Sequence, residues 1–143
     1  MMTAQIQAIL DRAIWLAQVR RQEQANVEHL LLALLDDPDA SRVLLACQAN
    51  LRWLRDELLS HVDKQLADGR PEAPAATAPS AAFQRVVQRA AILAQSGGRN
   101  TPAGADILAA FFAERDAHAV HMLQEQGVSR QAVLQASARG ERV

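Results

Sequence analysis

Apolar positions recur along this chain at spacings of three and four, the period of amphipathic helices. From Val27 to Leu35 every position except Glu28 and His29 is apolar, and Leu and Ala dominate. The stretch predicts a helix hydrophobic nearly all round, which must lie at the centre of a bundle. Asn26 stands before it, where its side-chain oxygen can accept from the first unpaired N–H groups, and Asp36, Asp37 and Pro38 end it. Moving on 77 positions, Gly104 to Phe112 forms a second helix of the same kind.

The repeat extends beyond those helices. At the same offset Gln7, Arg12, Ala13, Leu16, Ala17, Gln18, Leu31, Ala33, Asp39, Ala40 and Val43 recur as Gln84, Arg89, Ala90, Leu93, Ala94, Gln95, Leu108, Ala110, Asp116, Ala117 and Val120. A constant offset without gaps over about forty positions marks an internal duplication.

In chain order, Thr3 caps a first helix whose stripe is Ile6, Ile9, Leu10, Ala13, Leu16 and Ala17. Trp15 falls opposite that stripe and is expected to pack against the other repeat. A polar connection from Val19 to Ala25 precedes the central helix. Asp39 and Ser41 are expected to open a third helix through Val43, Leu44 and Cys47. Asn50 caps a fourth with Leu51, Leu54, Leu58 and Val62 inward and Trp53 off the stripe. Residues 67–79 hold three prolines and no large apolar side chain, so they read as an extended linker. Ser80 caps a fifth helix with Phe83, Val86, Val87, Ala90 and Ala94 buried, and Gly97 and Gly98 stop it. Asp116 opens a seventh helix with Val120 and Leu123 inward, Gly127 stops it, and Ser129 caps a short eighth with Val133 and Leu134. The expectation is an all-α fold: two tandem pseudo-symmetric four-helix repeats, residues 1–66 and 80–138, packed into one globular domain, with a frayed tail at 139–143.

Composition narrows the partners. Half of the 143 residues are hydrophobic, enough for one fair-sized core, and a net charge of −1 gives no global field for nucleic acid or an anionic membrane. Neither partner is expected. The lone Cys47 reads as core filler in a reducing compartment. With no signal-peptide pattern and no apolar run near the ~20 residues that span a bilayer, a cytoplasmic protein is expected.

Candidate chemistry is sparse. Glu114, His118 and His121, spaced i, i+4, i+7, would share one helical face with ligand chemistry suited to zinc, but the spacing is permissive and the expected reading is a solvated surface without metal. His29 reads as a hydrogen-bonded structural histidine. Glu28 reads as a first-turn carboxylate favoured by the helix dipole and exposed enough to meet a partner. The turn from Gly97 to Asn100 offers N–H groups and an arginine to an anion, though a helix stop explains it as well. No P-loop is present, so no cofactor and no catalysis are expected.

In this order and spacing, Val27 to Leu35, Phe83 to Ala90 and Ser96 to Asn100 resemble the amino-terminal domain of the Clp/Hsp100 unfoldases, of the ClpA type, with similarity from Ile6 to Ala136. The resemblance implies a recognition module that precedes two ATPase modules, docks the adaptor ClpS, contacts some substrates directly and feeds the ClpP peptidase. It implies an adaptor-facing surface of Glu23, Glu28, Ser80 and Arg85, a rim of charged groups suited to a reversible interface. The isolated module is expected to be monomeric, since the family's hexamer contacts lie elsewhere. Three positions depart from the pattern. Asn26 replaces a common Thr, Ala103 offers no side-chain cap, and Ala105 stands where ClpC-like relatives carry the second of two glutamates that read phosphoarginine. The last departure favours the ClpA reading. Two other functions compete with the receptor: a free-standing regulator that sequesters the adaptor, and a zinc enzyme built on Glu114, His118 and His121.

Overall fold

The computed structural model describes residues 3–64 and 77–140, with side chains through Ala138. The expected linker residues 67–76 and tail residues 141–143 lie outside the described residues. Eight helices run α1 Ala4–Gln18, α2 Val27–Leu34, α3 Pro38–Ala46, α4 Leu51–Lys64, α5 Ala81–Ser96, α6 Gly104–Ala110, α7 His118–Glu125 and α8 Arg130–Gly140. The fold is all-α, as the periodicity predicts. One minimal feature escaped it: β1, Gln24–Ala25, pairs in parallel with β2, Ala78–Pro79. Glu23 C=O accepts the Ala78 N–H and Ala25 C=O accepts the Ser80 N–H, so the chain entering the second repeat is tied to the connection before α2.

Local chemistry starts four of the eight helices where the sequence says it should. Thr3 Oγ1 accepts the Ile6 N–H, Asn50 Oδ1 the Trp53 N–H, Ser80 Oγ the Phe83 N–H and Ser129 Oγ the Ala132 N–H, each closing an open first turn. Arg21 follows α1 at φ 58° and Gly98 follows α5 at φ 78°, the same left-handed stop 77 positions apart.

Other starts differ from expectation. Asn26 makes no side-chain cap; instead His29 reaches back from the first turn of α2, and its Nδ1 accepts the Asn26 N–H at 2.9 Å. The equivalent position in the second repeat, Asp106, does the same for the Ala103 N–H at 2.7 Å, so the cap missing at Ala103 is supplied from inside the helix. The third helix opens at Asp37 rather than Asp39: Asp37 Oδ2 accepts the Ala40 N–H, and Pro38 takes the first helical position, where its missing N–H costs nothing. Asp116 does not open α7; a 3-10 turn at Phe111–Ala113 and a further bend delay that helix to His118.

Every residue of α2 and α6 is buried, and these two helices form the centre of one continuous core. α1 packs on α2 and α5 on α6, while α4, α5 and α7 surround α2 and α3 and α8 cover α6, so the two repeats share their packing partners. The stripes of α1, α4 and α5 face inward as expected. Trp15 does not: it is 52% exposed on the outer face of α1, because no element of the second repeat reaches that side. In α8 the inward positions are Val133 and Ala136, and Leu134 is exposed.

Opposite repeats close each other's helices. Glu28 Oε2 of α2 accepts the Ala119 N–H in the first turn of α7, Asp39 Oδ2 of α3 accepts the Ala105 N–H in the first turn of α6, and Gln126 Oε1 accepts the Asn50 N–H ahead of α4. None of these three contacts is local; the donors at Ala119 and Ala105 are ones that packing takes from water, while the Asn50 contact is exposed.

Candidate functional site

The duplication fails at one place. The 77-residue offset maps α1, α2 and α4 onto α5, α6 and α8 within two residues, but α3 begins at Pro38 and α7 three positions later than that offset requires. The extra turn, Ala113 to Ala117, walls a cleft of about 760 Å3. Its other walls are the start of α2, His61 of α4, and Ser80, Arg85 and Arg89 at the start of α5.

Glu114 anchors the cleft. Arg85 forks onto it with Nη2 to Oε1 at 2.6 Å and Nε to Oε2 at 3.1 Å, and Arg89 Nη1 meets Oε2 at 2.6 Å. Hydrogen bonds from Arg85 lower the Glu114 pKa most; despite partial burial, which works against them, the two arginines bring it to about 2. The Arg85 side chain remains half exposed, while that of Glu114 is only 10% exposed. The result is a carboxylate held rigidly under two guanidinium groups, with Arg85 facing outward.

On the opposite wall His61 and His118 stack at 4.2 Å with their planes 11° apart, one ring from each repeat. His61 Nε2 lies 3.8 Å from Glu28 Oε1. Burial lowers the His61 pKa, and Glu28 opposes that shift while His118 adds to it. Behind this wall His29 is fully buried, its Nε2 2.6 Å from Gln22 Oε1. Because Nδ1 accepts from Asn26, the proton sits on Nε2 and is donated to Gln22. Burial, reinforced by Arg20, lowers its pKa to about 4, so His29 is a neutral structural histidine as expected.

The cleft therefore collects Glu28, Ser80 and Arg85, together with Glu114 and His118. Glu23 stands outside it, exposed on the connection before β1, and His121 is turned away, its Nε2 3.0 Å from the Arg115 carbonyl. Two expectations need correction. Glu28 is 7% exposed rather than well exposed, because it lies at the inner wall of the cleft with its carboxylate capping α7. Glu114, His118 and His121 do not share a helical face, since the helix begins only at His118 and Glu114 is taken by arginine. Among the described residues no group of three His, Cys, Asp or Glu side chains is placed to hold a metal ion. The glycine turn is a helix stop whose Arg99 forks onto Asp106, with two contacts of 2.7 Å.

Sequence reasoning overlooked Arg89 and His61 as site residues. Arg89 carried a usable signal: it is the copy of Arg12, which pairs with Asp36 just past α2 as Arg89 pairs with Glu114 just past α6. His61 carried none, because only the packing of α4 on α7 brings it to the cleft.

Comparison with known proteins agrees with this architecture. The profile of the Clp repeat (R) N-terminal domain matches residues 1–126. A ClpA homolog protein from Fuscovulum blasticum is 46% identical over 126 residues, which cover 87% of this chain. The match covers only 16% of that relative's length. Among solved structures, the Hsp104 N-terminal domain from Candida albicans aligns over 95% of this chain and 88% of its own, with a TM-score of 0.80 and 18% identity. A ClpV N-domain in complex with a VipB peptide aligns over 96% of this chain and 89% of its own, with a TM-score of 0.72 and 20% identity. At such identities the structural likeness speaks for the fold, whereas the profile and the ClpA relative speak for the family. The chain belongs to the Clp repeat N-terminal domain family.

Proposed function

We propose that this domain is the docking module of a ClpA-type unfoldase and that its inter-repeat cleft receives a ClpS-type adaptor, which brings substrates for unfolding and delivery to a ClpP-type peptidase. The observation that carries the reading is the convergence of Arg85, Ser80 and Glu28 at one cleft whose outer edge is a pre-positioned guanidinium. An arginine already fixed by Glu114 loses little side-chain freedom on meeting a partner's carboxylate or carbonyl, so an exposed pair of small intrinsic worth gains once the partner excludes water. Glu23 lies three residues before Asn26, which lines the cleft, and supplies an exposed carboxylate beside it. The ClpV N-domain captured with a VipB peptide supports a peptide-binding role for this fold. The chain has no P-loop, and the role proposed is recognition rather than catalysis.

Calorimetric titration of the domain with the ClpS-type adaptor of the same organism tests the reading. Saturable one-to-one binding is expected, weakened about tenfold by Arg85→Ala and less by Glu23→Ala. No heat of binding from a domain shown by circular dichroism to be folded overturns it.

A further inference from the structure

On the far side of the extra turn, α5, α6 and the 3-10 turn leave a second groove of about 350 Å3. Its floor is apolar: Ile92 is 60% exposed, and Leu93 and Phe112 are half-buried beside it. A single exposed isoleucine is ordinary, but one continuous with a leucine and a phenylalanine makes a patch that water covers at a cost. The edge is cationic. Arg89, Arg115 and Arg130 line it from three different elements, and no acidic residue does.

Arg89 is committed to Glu114. The side chains of Arg115 and Arg130 form no ion pair or hydrogen bond among the described residues. Arg130 opens α8, where a cation opposes the helix dipole, so the stability of its own helix does not account for it. Two uncompensated guanidinium groups at the edge of an apolar floor complement an apolar side chain flanked by carboxylates, which guanidinium forks bind in pairs of hydrogen bonds.

We propose that this groove docks a protein segment that presents an apolar side chain between acidic ones. Glu23, Glu28, Ser80 and Arg85 take no part in it, while Arg89, Ala113 and Arg115 border both this groove and the adaptor cleft.

The probe is a fluorescein-labelled peptide with both termini blocked, containing leucine and phenylalanine between pairs of glutamates, followed by fluorescence anisotropy. Saturable binding is expected, and replacing the glutamates with glutamines weakens it about tenfold or more, as does raising salt from ~50 to ~500 mM. Reversing both edge charges with Arg115→Glu and Arg130→Glu, or placing a charge on the floor with Ile92→Asp, reduces binding to a similar degree, while Glu23→Ala leaves it unchanged. Equal binding of the glutamate and glutamine peptides, or none of either, overturns the proposal, and this comparison uses the unaltered domain and so needs no variant to fold. Preference for a glutamine peptide with a free carboxyl terminus also overturns it, by identifying the chain end as the ligand.

Discussion

Glu28 Oε2 accepts the Ala119 N–H at 3.1 Å across 91 positions of sequence, so a carboxylate expected to be exposed joins the two repeats from within. Glu28→Ala leaves that buried donor without a partner and is expected to destabilise the domain by about 1–3 kcal/mol, while Glu28→Gln, which keeps an acceptor, costs less than about 1 kcal/mol. Urea denaturation of both variants checks the order. An alanine variant as stable as the parent would show that water replaces the carboxylate.

Gly104 opens α6 against the start of α3. A Cβ there would overlap Asp37 Oδ2 and lie 3.1 Å from Ala40 N. Helix propensity alone makes Gly→Ala favourable by about 1 kcal/mol, yet here the displaced carboxylate is the buried cap of α3. Gly104→Ala is therefore expected to lower stability by about 1–3 kcal/mol, read as a fall in Tm.

The folded protein holds His29 neutral with a pKa of about 4, below the ordinary 6.5. Between those values the unfolded chain binds a proton that the folded chain refuses, so the stability conferred by the neutral ring is complete above pH 6.5 and is lost as pH falls towards 4. The loss amounts to no more than about 3 kcal/mol. Burial lowers the His61 pKa as well, and His61 adds to the loss in the same direction. His29→Gln is expected to flatten the dependence, as measured by denaturation between pH 7.5 and 4.5.

Glu114 acts lower on the scale. Its pKa of about 2 lies below the ordinary 4.5, so the stability conferred by its ion pairs is present above pH 4.5 and disappears as pH falls through 2. Solvent around the half-exposed Arg85 screens the pairs, which keeps the whole effect near ~1 kcal/mol. Glu114→Gln is expected to remove this acid-side loss, and at neutral pH to loosen Arg85 and weaken adaptor binding more than it weakens the fold. Parallel melts and titrations separate the two outcomes.

What was legible in the sequence follows from where the information is stored. Helix stripes such as Leu54, Leu58 and Val62, and caps such as Thr3 and Ser80, are written in consecutive residues, and the duplication gives each reading a second witness. Cross-repeat contacts are written nowhere locally. Nothing around Glu28 says that Ala119 will sit against it, and nothing around Trp15 says that its expected neighbour will fail to arrive. At Glu114 the helical spacing was misleading, because a 3-10 turn interrupts the period between Phe111 and His118. The cleft residues Arg85 and Ser80 are carried by the family resemblance, while Arg89 shows in the sequence only as the repeat of Arg12.

The exchange of helix caps between repeats bears on how such a duplicated domain persists. Had each copy kept all its own caps, either could drift or be deleted alone. Here Asp39, Glu28 and Gln126 are debts held by one half against the other, at Ala105, Ala119 and Asn50. A polypeptide severed between residues 64 and 77 would yield two fragments, each with open helix ends and a bare α2 or α6 face, that regain structure only by finding one another.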